Sequence, residues 1–295
     1  MLRLPRLPTL LLSALALTHL ATAVFADGPA LPQWADNQVR ARLTVEGDKL
    51  KADSKTTEAK DLAAQLTRRD ADVRLAKPST GVLPGDKLYD AAARSTVVFS
   101  SLYKCNKCEH THANAASGVI ISADGIVATN YHVMANKEAF AFVAMTYDGK
   151  VYPVVEVLAA DAVRDVALVK LGGARDLPAA PVRAGSTPLT DVVVMSHPDG
   201  RFFSITKGVV SRYFRRGKDG NGPVFMQITA DYAKGSSGGP VLNTAGEVVG
   251  LVSSTNSVYY NQGKDGELQN LQMVFKDCVP ADAILGLVKN APAAK

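Results

Sequence analysis

The sequence predicts a mainly β fold of two strand sets, about six strands in each, arranged as a sandwich or a pair of barrels. Two observations carry this. Short β-branched runs recur from Ser95 onward, and turn signals such as Ala123-Asp124-Gly125, Asp148-Gly149 and Ala245-Gly246 separate them. The composition, 47% hydrophobic and 21% charged with 23 Gly and 15 Pro, excludes wholesale disorder and collagen-like structure.

Residues 1–26 read as an export signal. Arg3 and Arg6 precede a mostly apolar stretch from Leu7 to Phe25, and small residues offer cleavage after Ala23 or Ala26. An exported protein, periplasmic or secreted, is expected, without stable membrane insertion once the signal is removed. No other apolar run approaches the length needed to span a membrane. Removal of the signal, which contains no acid, lowers the net charge from +5 to +3. Such a balance is poor support for a nucleic-acid partner, and no recognition motif adds to it.

Residues 27–90 form a polar N-terminal extension and linker. Arg42 to Lys51 alternates loosely around Glu46-Gly47-Asp48 and predicts a hairpin. Thr56 to Arg69 has helical spacing of Ala and Leu, and Pro78, Gly81, Pro84 and Gly85 punctuate a linker. Residues 91–295 form the main domain. Its first set of runs is Thr96–Phe99, Gly118–Ile121, Ile126–Thr129, Ala139–Met145, Val151–Leu158 and Val166–Leu171. The second is Val192–Met195, Phe203–Val210, Val224–Thr229, Pro240–Leu242, Val248–Ser253 and Gln272–Phe275. Val279 to Asn290 predicts a closing helix with Pro280 in its first turn. Arg212, Arg215, Arg216 and Lys218 crowd one hairpin and read as a solvated loop.

Gly235-Ser236-Ser237-Gly238-Gly239-Pro240 fits G-x-S-x-G, in which glycines permit a tight turn and close backbone approach around a serine. A serine hydroxyl becomes nucleophilic only when a base takes its proton. The α/β-hydrolase order of serine, acid, histidine is excluded, because the last histidine is His197. Order along the chain instead supports histidine, aspartate, serine.

Three segments now resemble the trypsin-like serine peptidases, most nearly their bacterial HtrA (Deg) branch. They are Thr129-Asn130-Tyr131-His132-Val133, Asp165-Val166-Ala167-Leu168-Val169-Lys170, and Gly235 to Pro240. Ser196-His197-Pro198-Asp199-Gly200 is similar to that branch's Gly-x-Pro-x-Gly strand connection. The resemblance covers residues from roughly 90 to 290. It implies an all-β fold of two six-stranded antiparallel barrels with the site between them, here with a C-terminal helix and an N-terminal extension. It implies a serine endopeptidase acting on polypeptides, with His132 as general base, Asp165 as its orienting acid and Ser237 as nucleophile. Asp161, four residues before Asp165, competes for the acid's place. The N–H groups of Gly235 and Ser237 would form the oxyanion hole. No cofactor or metal is required.

By the same resemblance, Asp231 falls at the base of the primary specificity pocket, where it would attract Lys or Arg. Ser253, Ser254 and Thr255 would form the edge that pairs with substrate. Ser236 stands where the HtrA branch has Asn, and Ala233-Lys234 where it has Asn-Pro. The chain leaves no room for a C-terminal PDZ domain, so PDZ-gated regulation is not carried over. A non-catalytic peptide-binding scaffold of the same fold is the alternative.

Cys105, Cys108 and Cys278 are the three cysteines. An oxidising compartment favours a disulfide, within Cys105–Cys108 or between either and Cys278. Cys105, Cys108, His110 and His112 also offer two thiolates and two imidazoles to a zinc ion. His110 and His112 would share a face if their segment is a strand.

Overall fold

The structure, a computed structural model, describes residues 33–263, 265–289 and 291. The export segment 1–26 lies outside the described residues. From Trp34 onward the chain is one compact unit.

Two closed antiparallel barrels form its centre. The first contains β1 (Thr96–Lys104), β2 (Thr111–Ser122), β3 (Ile126–Thr129), β4 (Ala141–Met145), β5 (Val151–Asp161) and β6 (Val166–Leu171), in the order β1-β2-β3-β6-β5-β4. The second contains β7 (Asp191–Ser196), β8 (Ser204–Arg215), β9 (Val224–Ile228), β10 (Pro240–Asn243), β11 (Val248–Gln262) and β12 (Leu268–Pro280), in the order β10-β11-β12-β9-β8-β7. Every run expected from sequence overlaps one of these strands. Closure pairs the edges that an open sheet would leave exposed.

The β-branched runs reflect burial on both faces. In β1, Val97 and Phe99 face the interior of the first barrel with Ile120, Val127 and Phe142. Val98 and Leu102 alternate to the other side, in a core shared with Met195, Leu251 and Val279 of the second barrel. The polar-out alternation of a half-solvated strand is therefore missing from the sequence here.

The hairpin expected at Arg42–Lys51 is not formed. That segment lies within the helix α1 (Asp36–Ala52), whose buried residues Val39, Leu43 and Gly47 recur every four positions. Gly47 is a contact residue rather than a turn: a Cβ there would stand 2.5 Å from Leu102 Cδ1. The expected helix within Thr56–Arg69 is α2 (Ala59–Gln65). A helix not foreseen, α3 (Gly85–Ser95), buries Leu88, Ala92 and Ala93 and runs directly into β1. The closing helix is shorter than expected. Val279 and Pro280 still pair with Leu251 and Gly250, and α5 covers only Ala281–Leu285.

The residues before and along α1 also touch the second barrel. Trp34 stacks on Phe203 at 4.5 Å between ring centroids, Asp36 Oδ1 accepts from Phe202 N, and Arg40 Nη2 donates to Asp199 O. In the same 197–203 connection, Asp199 N donates to Lys234 O, next to Gly235. The extension thus braces a loop that lies against the serine motif.

Candidate active site

His132 and Asp165 are set by the ends of strands. β3 stops at Thr129, Asn130 occupies the residue before the single helical turn α4 (Tyr131–Met134), and His132 projects from that turn. Asn130 is buried, and its Nδ2 donates to Asp165 O at 2.9 Å. Asp165 precedes β6 with φ +57°, a left-handed conformation that aspartate tolerates better than most residues.

This conformation aims the Asp165 carboxylate at His132. Nδ1 lies 2.9 Å from Oδ1 and 3.0 Å from Oδ2, and Oδ1 also accepts the His132 backbone N–H at 3.1 Å. A carboxylate on Nδ1 holds the proton there and leaves Nε2 as the acceptor. Ser253 Oγ donates to Asp165 Oδ2 at 2.8 Å. Asp161, the competing acid, instead accepts the N–H groups of Val163 and Arg164 and pairs with Arg164 Nε at 2.7 Å. It belongs to the β5–β6 turn.

Ser237 is half-buried, and its Oγ donates to Ser253 O at 3.4 Å. Ser253 thus touches Asp165 through its hydroxyl and Ser237 through its carbonyl. Among the described residues, no hydrogen bond joins Ser237 Oγ to His132. The serine loop is gripped by the first barrel: Ser117 N donates to Ser237 O, and Ser117 Oγ to Gly235 O. Gly235 has φ +96°, and a Cβ there would lie 2.6 Å from His197 O. Gly238 has φ +81° and would press a Cβ within 2.3 Å of Ser117 O. Both glycines are dictated by backbone conformation and by the backbone packed against them. Among the described residues, the N–H groups of Gly235 and Ser237 have no hydrogen-bond acceptor. Ser236, where a resemblance-based reading expects Asn, is buried and accepts from Ser196 Oγ.

A cleft of about 470 Å³ opens beside this group, lined by Tyr131, His132, Asp165, Arg216, Ser253 and Ser254 among others. Past Val252, β11 pairs only with β12, so Ser253, Ser254 and Thr255 present a second edge that carries no strand partner among the described strands. Arg216 does not belong to a solvated loop. Its guanidinium lies 3.7 Å from the Phe225 ring centroid and bonds Ser254 Oγ at 2.7 Å and Asp277 Oδ2 at 3.3 Å. Its neighbours Arg212 and Arg215 bond Gln227 and Gly222 O.

Asp231 is not brought to this cleft as a buried anion. Its side chain is 84% exposed and pairs with Lys276 Nζ at 3.1 Å. Tyr232 turns inward in its place. The Tyr232 hydroxyl stands within hydrogen-bond distance of both Asp277 O and Ser254 O, on β12 and β11, and burial drives its pKa far above the ordinary phenol range.

The cysteines are free thiols. Cys278 is buried in the second barrel, where burial pushes its thiol up to about 12. It pairs with neither of the others. His110 precedes β2 rather than lying on it, so the face it was expected to share with His112 does not form.

Residues 116–251 match the trypsin-like peptidase domain family. Over that stretch the chain is similar to trypsin-like peptidase domains. Serine endoprotease DegS of Escherichia coli (strain K12) is 31% identical over 154 residues, covering 51% of this chain and 41% of DegS. A protein named as a probable periplasmic serine endoprotease DegP-like, from Pseudomonas fluorescens, is 37% identical over 144 residues, covering 46% of this chain and 28% of its own length. The chain therefore spans less than half the length of these curated relatives. The solved HtrA-type protease AlgW with a decapeptide superposes with a TM-score of 0.54 at 20% identity, covering 70% of this chain and 66% of AlgW. At that identity the likeness concerns the two-barrel fold alone. No described helix is long and apolar enough to cross a membrane.

Sequence order pointed to His132, Asp165 and Ser237, and their neighbourhood is as described. Asn130 stood inside a quoted motif. Ser117 and Tyr232 carry no signal in the sequence, and Arg216 reads there as part of a solvated loop, because their places depend on the docking of one barrel on the other or on strands far apart in sequence.

Proposed function

We propose that the chain is an exported serine endopeptidase that cleaves polypeptides through an acyl-enzyme formed on Ser237. The observation that carries this is the His132–Asp165 pair, joined through Ser253 to a serine loop with two free N–H donors. His132 Nε2, the acceptor nitrogen, takes the Ser237 hydroxyl proton as Oγ attacks the scissile carbonyl carbon. Rotation about Cα–Cβ moves that hydroxyl from Ser253 O to the imidazole. The carbonyl oxygen gains the negative charge and accepts from Gly235 N–H and Ser237 N–H, each such donor typically contributing about 3 kcal/mol. Imidazolium, stabilised by Asp165, gives its proton to the leaving amine. Water then repeats the sequence on the ester and frees Ser237.

The substrate enters as an extended strand on the free edge of Ser253, Ser254 and Thr255, forming backbone hydrogen bonds that are indifferent to side chain. Selectivity falls to the pocket beside Ser237. Asp231, exposed and neutralised by Lys276, supplies no anion for a basic side chain. The export-signal pattern of residues 1–26 supports a location in the periplasm or outside the cell, and the DegP-like relative is itself named as periplasmic.

The peptide-binding scaffold reading draws on one observation, the Ser237 hydroxyl turned to Ser253 O rather than to His132. A fluorophosphonate probe separates the two. Covalent labelling of the purified protein, absent from Ser237→Ala, is the expected result. A folded protein that resists the probe and also leaves casein intact would reject the peptidase reading.

A further inference from the structure

We propose that Cys105, Cys108 and His112 form a zinc site at the tip of the β1–β2 hairpin. The peptidase chemistry makes no use of these groups, and the proposal stands independently of it.

The geometry is that of donors already gathered. Cys105 Sγ lies 3.3 Å from Cys108 Sγ, and Cys108 Sγ lies 3.1 Å from His112 Nε2. The three donor atoms all lie within 4.8 Å of one another. Around a tetrahedral zinc with ordinary bond lengths, sulfur atoms stand about 3.8 Å apart and sulfur and nitrogen about 3.6 Å apart. An opening of about half an ångström therefore admits the ion, which is within the reach of side-chain torsions at an exposed turn.

The fold around the turn explains why the donors meet. β1 and β2 pair Tyr103 with His112 and Lys104 with Thr111, so residues 105–110 must close the hairpin. Lys104 Nζ holds that connection by bonding Glu109 O at 2.9 Å and Thr111 Oγ1 at 2.8 Å. Thr111 faces inward and donates to Asp48 of α1, which leaves its neighbour His112 to point the opposite way, toward Cys108. The Tyr103 ring lies 5.3 Å from the imidazole centroid and limits its rotation.

Donor chemistry selects the metal. Two thiolates and one imidazole suit a borderline-soft ion and offer nothing to calcium or magnesium, which take oxygen ligands. Three protein donors leave a fourth tetrahedral position open to water or an added ligand. The site also has a place in the larger structure. His112 and Ser117, the residue that holds Gly235 and Ser237, both lie on β2, so an ion here would brace the start of the strand that grips the serine loop.

The test uses the full chain, reduced and stripped with chelator, then titrated with cobalt(II). One equivalent should give tetrahedral ligand-field bands and a thiolate charge-transfer band, and zinc should displace it. Cys108→Ser should abolish the charge-transfer band. His112→Gln should weaken binding by about tenfold or more, whereas His110→Gln should bind as the parent does. Zinc should also protect Cys105 and Cys108 of the parent protein from alkylation, a readout that survives if a variant misfolds. The proposal is overturned if the reduced parent gives no tetrahedral cobalt spectrum, if it takes copper(I) but neither cobalt nor zinc, or if His112→Gln binds as tightly as the parent.

Discussion

Ser253 joins two of the groups on which the proposed chemistry depends. Its carbonyl accepts from Ser237, while its hydroxyl supplies one of the hydrogen bonds that fix the Asp165 carboxylate. Ser253→Ala keeps the carbonyl and loses only the second. A hydrogen bond to a charged group contributes about 1.5–3 kcal/mol, so kcat should fall roughly tenfold or more with KM little changed. Steady-state kinetics on a peptide substrate checks this, and an effect confined to KM would assign Ser253 to binding alone. Asp231 makes the second prediction at this scale. With its carboxylate exposed and paired to Lys276, cleavage of a peptide library should show no enrichment of Lys or Arg. Dominant cleavage after basic residues would return Asp231 to the pocket.

At the scale of elements, the barrels were legible because their strands are short, β-branched and separated by turn glycines, and both faces of a strand such as β1 are buried. The extension was misread for a physical reason. Glu46-Gly47-Asp48 has the composition of a turn, yet Gly47 is needed where α1 packs against Leu102, a contact invisible without the strand it meets. Likewise, nothing local told that β12 would carry Val279 and Pro280 into the sheet and leave α5 short. Motif and order singled out His132, Asp165 and Ser237, whereas the pairing of Asp165 rather than Asp161 with His132 rests on a left-handed backbone position. α1 also yields a prediction. Asp36 and Arg40 hold the 199–203 connection, and that connection lies against Lys234 and Gly235. The double variant Asp36→Ala with Arg40→Ala should slow fluorophosphonate labelling by about three- to thirtyfold, the range for changes of up to about 2 kcal/mol in coupling. Its circular dichroism should remain that of the parent. An unchanged labelling rate would make the helix a packing element without influence on the serine loop.

Across the whole molecule, one buried histidine bridges the two barrels. His197 is fully buried, with its Nε2 bonded to Val97 O of the first barrel and its Nδ1 accepting from Phe203 N of the second. Because a backbone N–H points at Nδ1, the proton must reside on Nε2, and the imidazole is neutral. The rings of Phe202 and Phe203 pack around it, and burial brings its pKa down to about 4 from the ordinary 6.5. The unfolded chain therefore takes up a proton here below about pH 6.5, while the native protein resists until about pH 4. Stability from this group is fully present above pH 6.5 and is lost as pH falls toward 4, by on the order of 3 kcal/mol. Urea unfolding between pH 7.5 and 4 reads this directly. The parent should lose stability over that window more steeply than His197→Gln, which starts from a lower value because it breaks the same two hydrogen bonds but has nothing to protonate. Parallel pH profiles for the two proteins would show that the acid sensitivity lies elsewhere and that the barrels do not depend on a neutral imidazole between them.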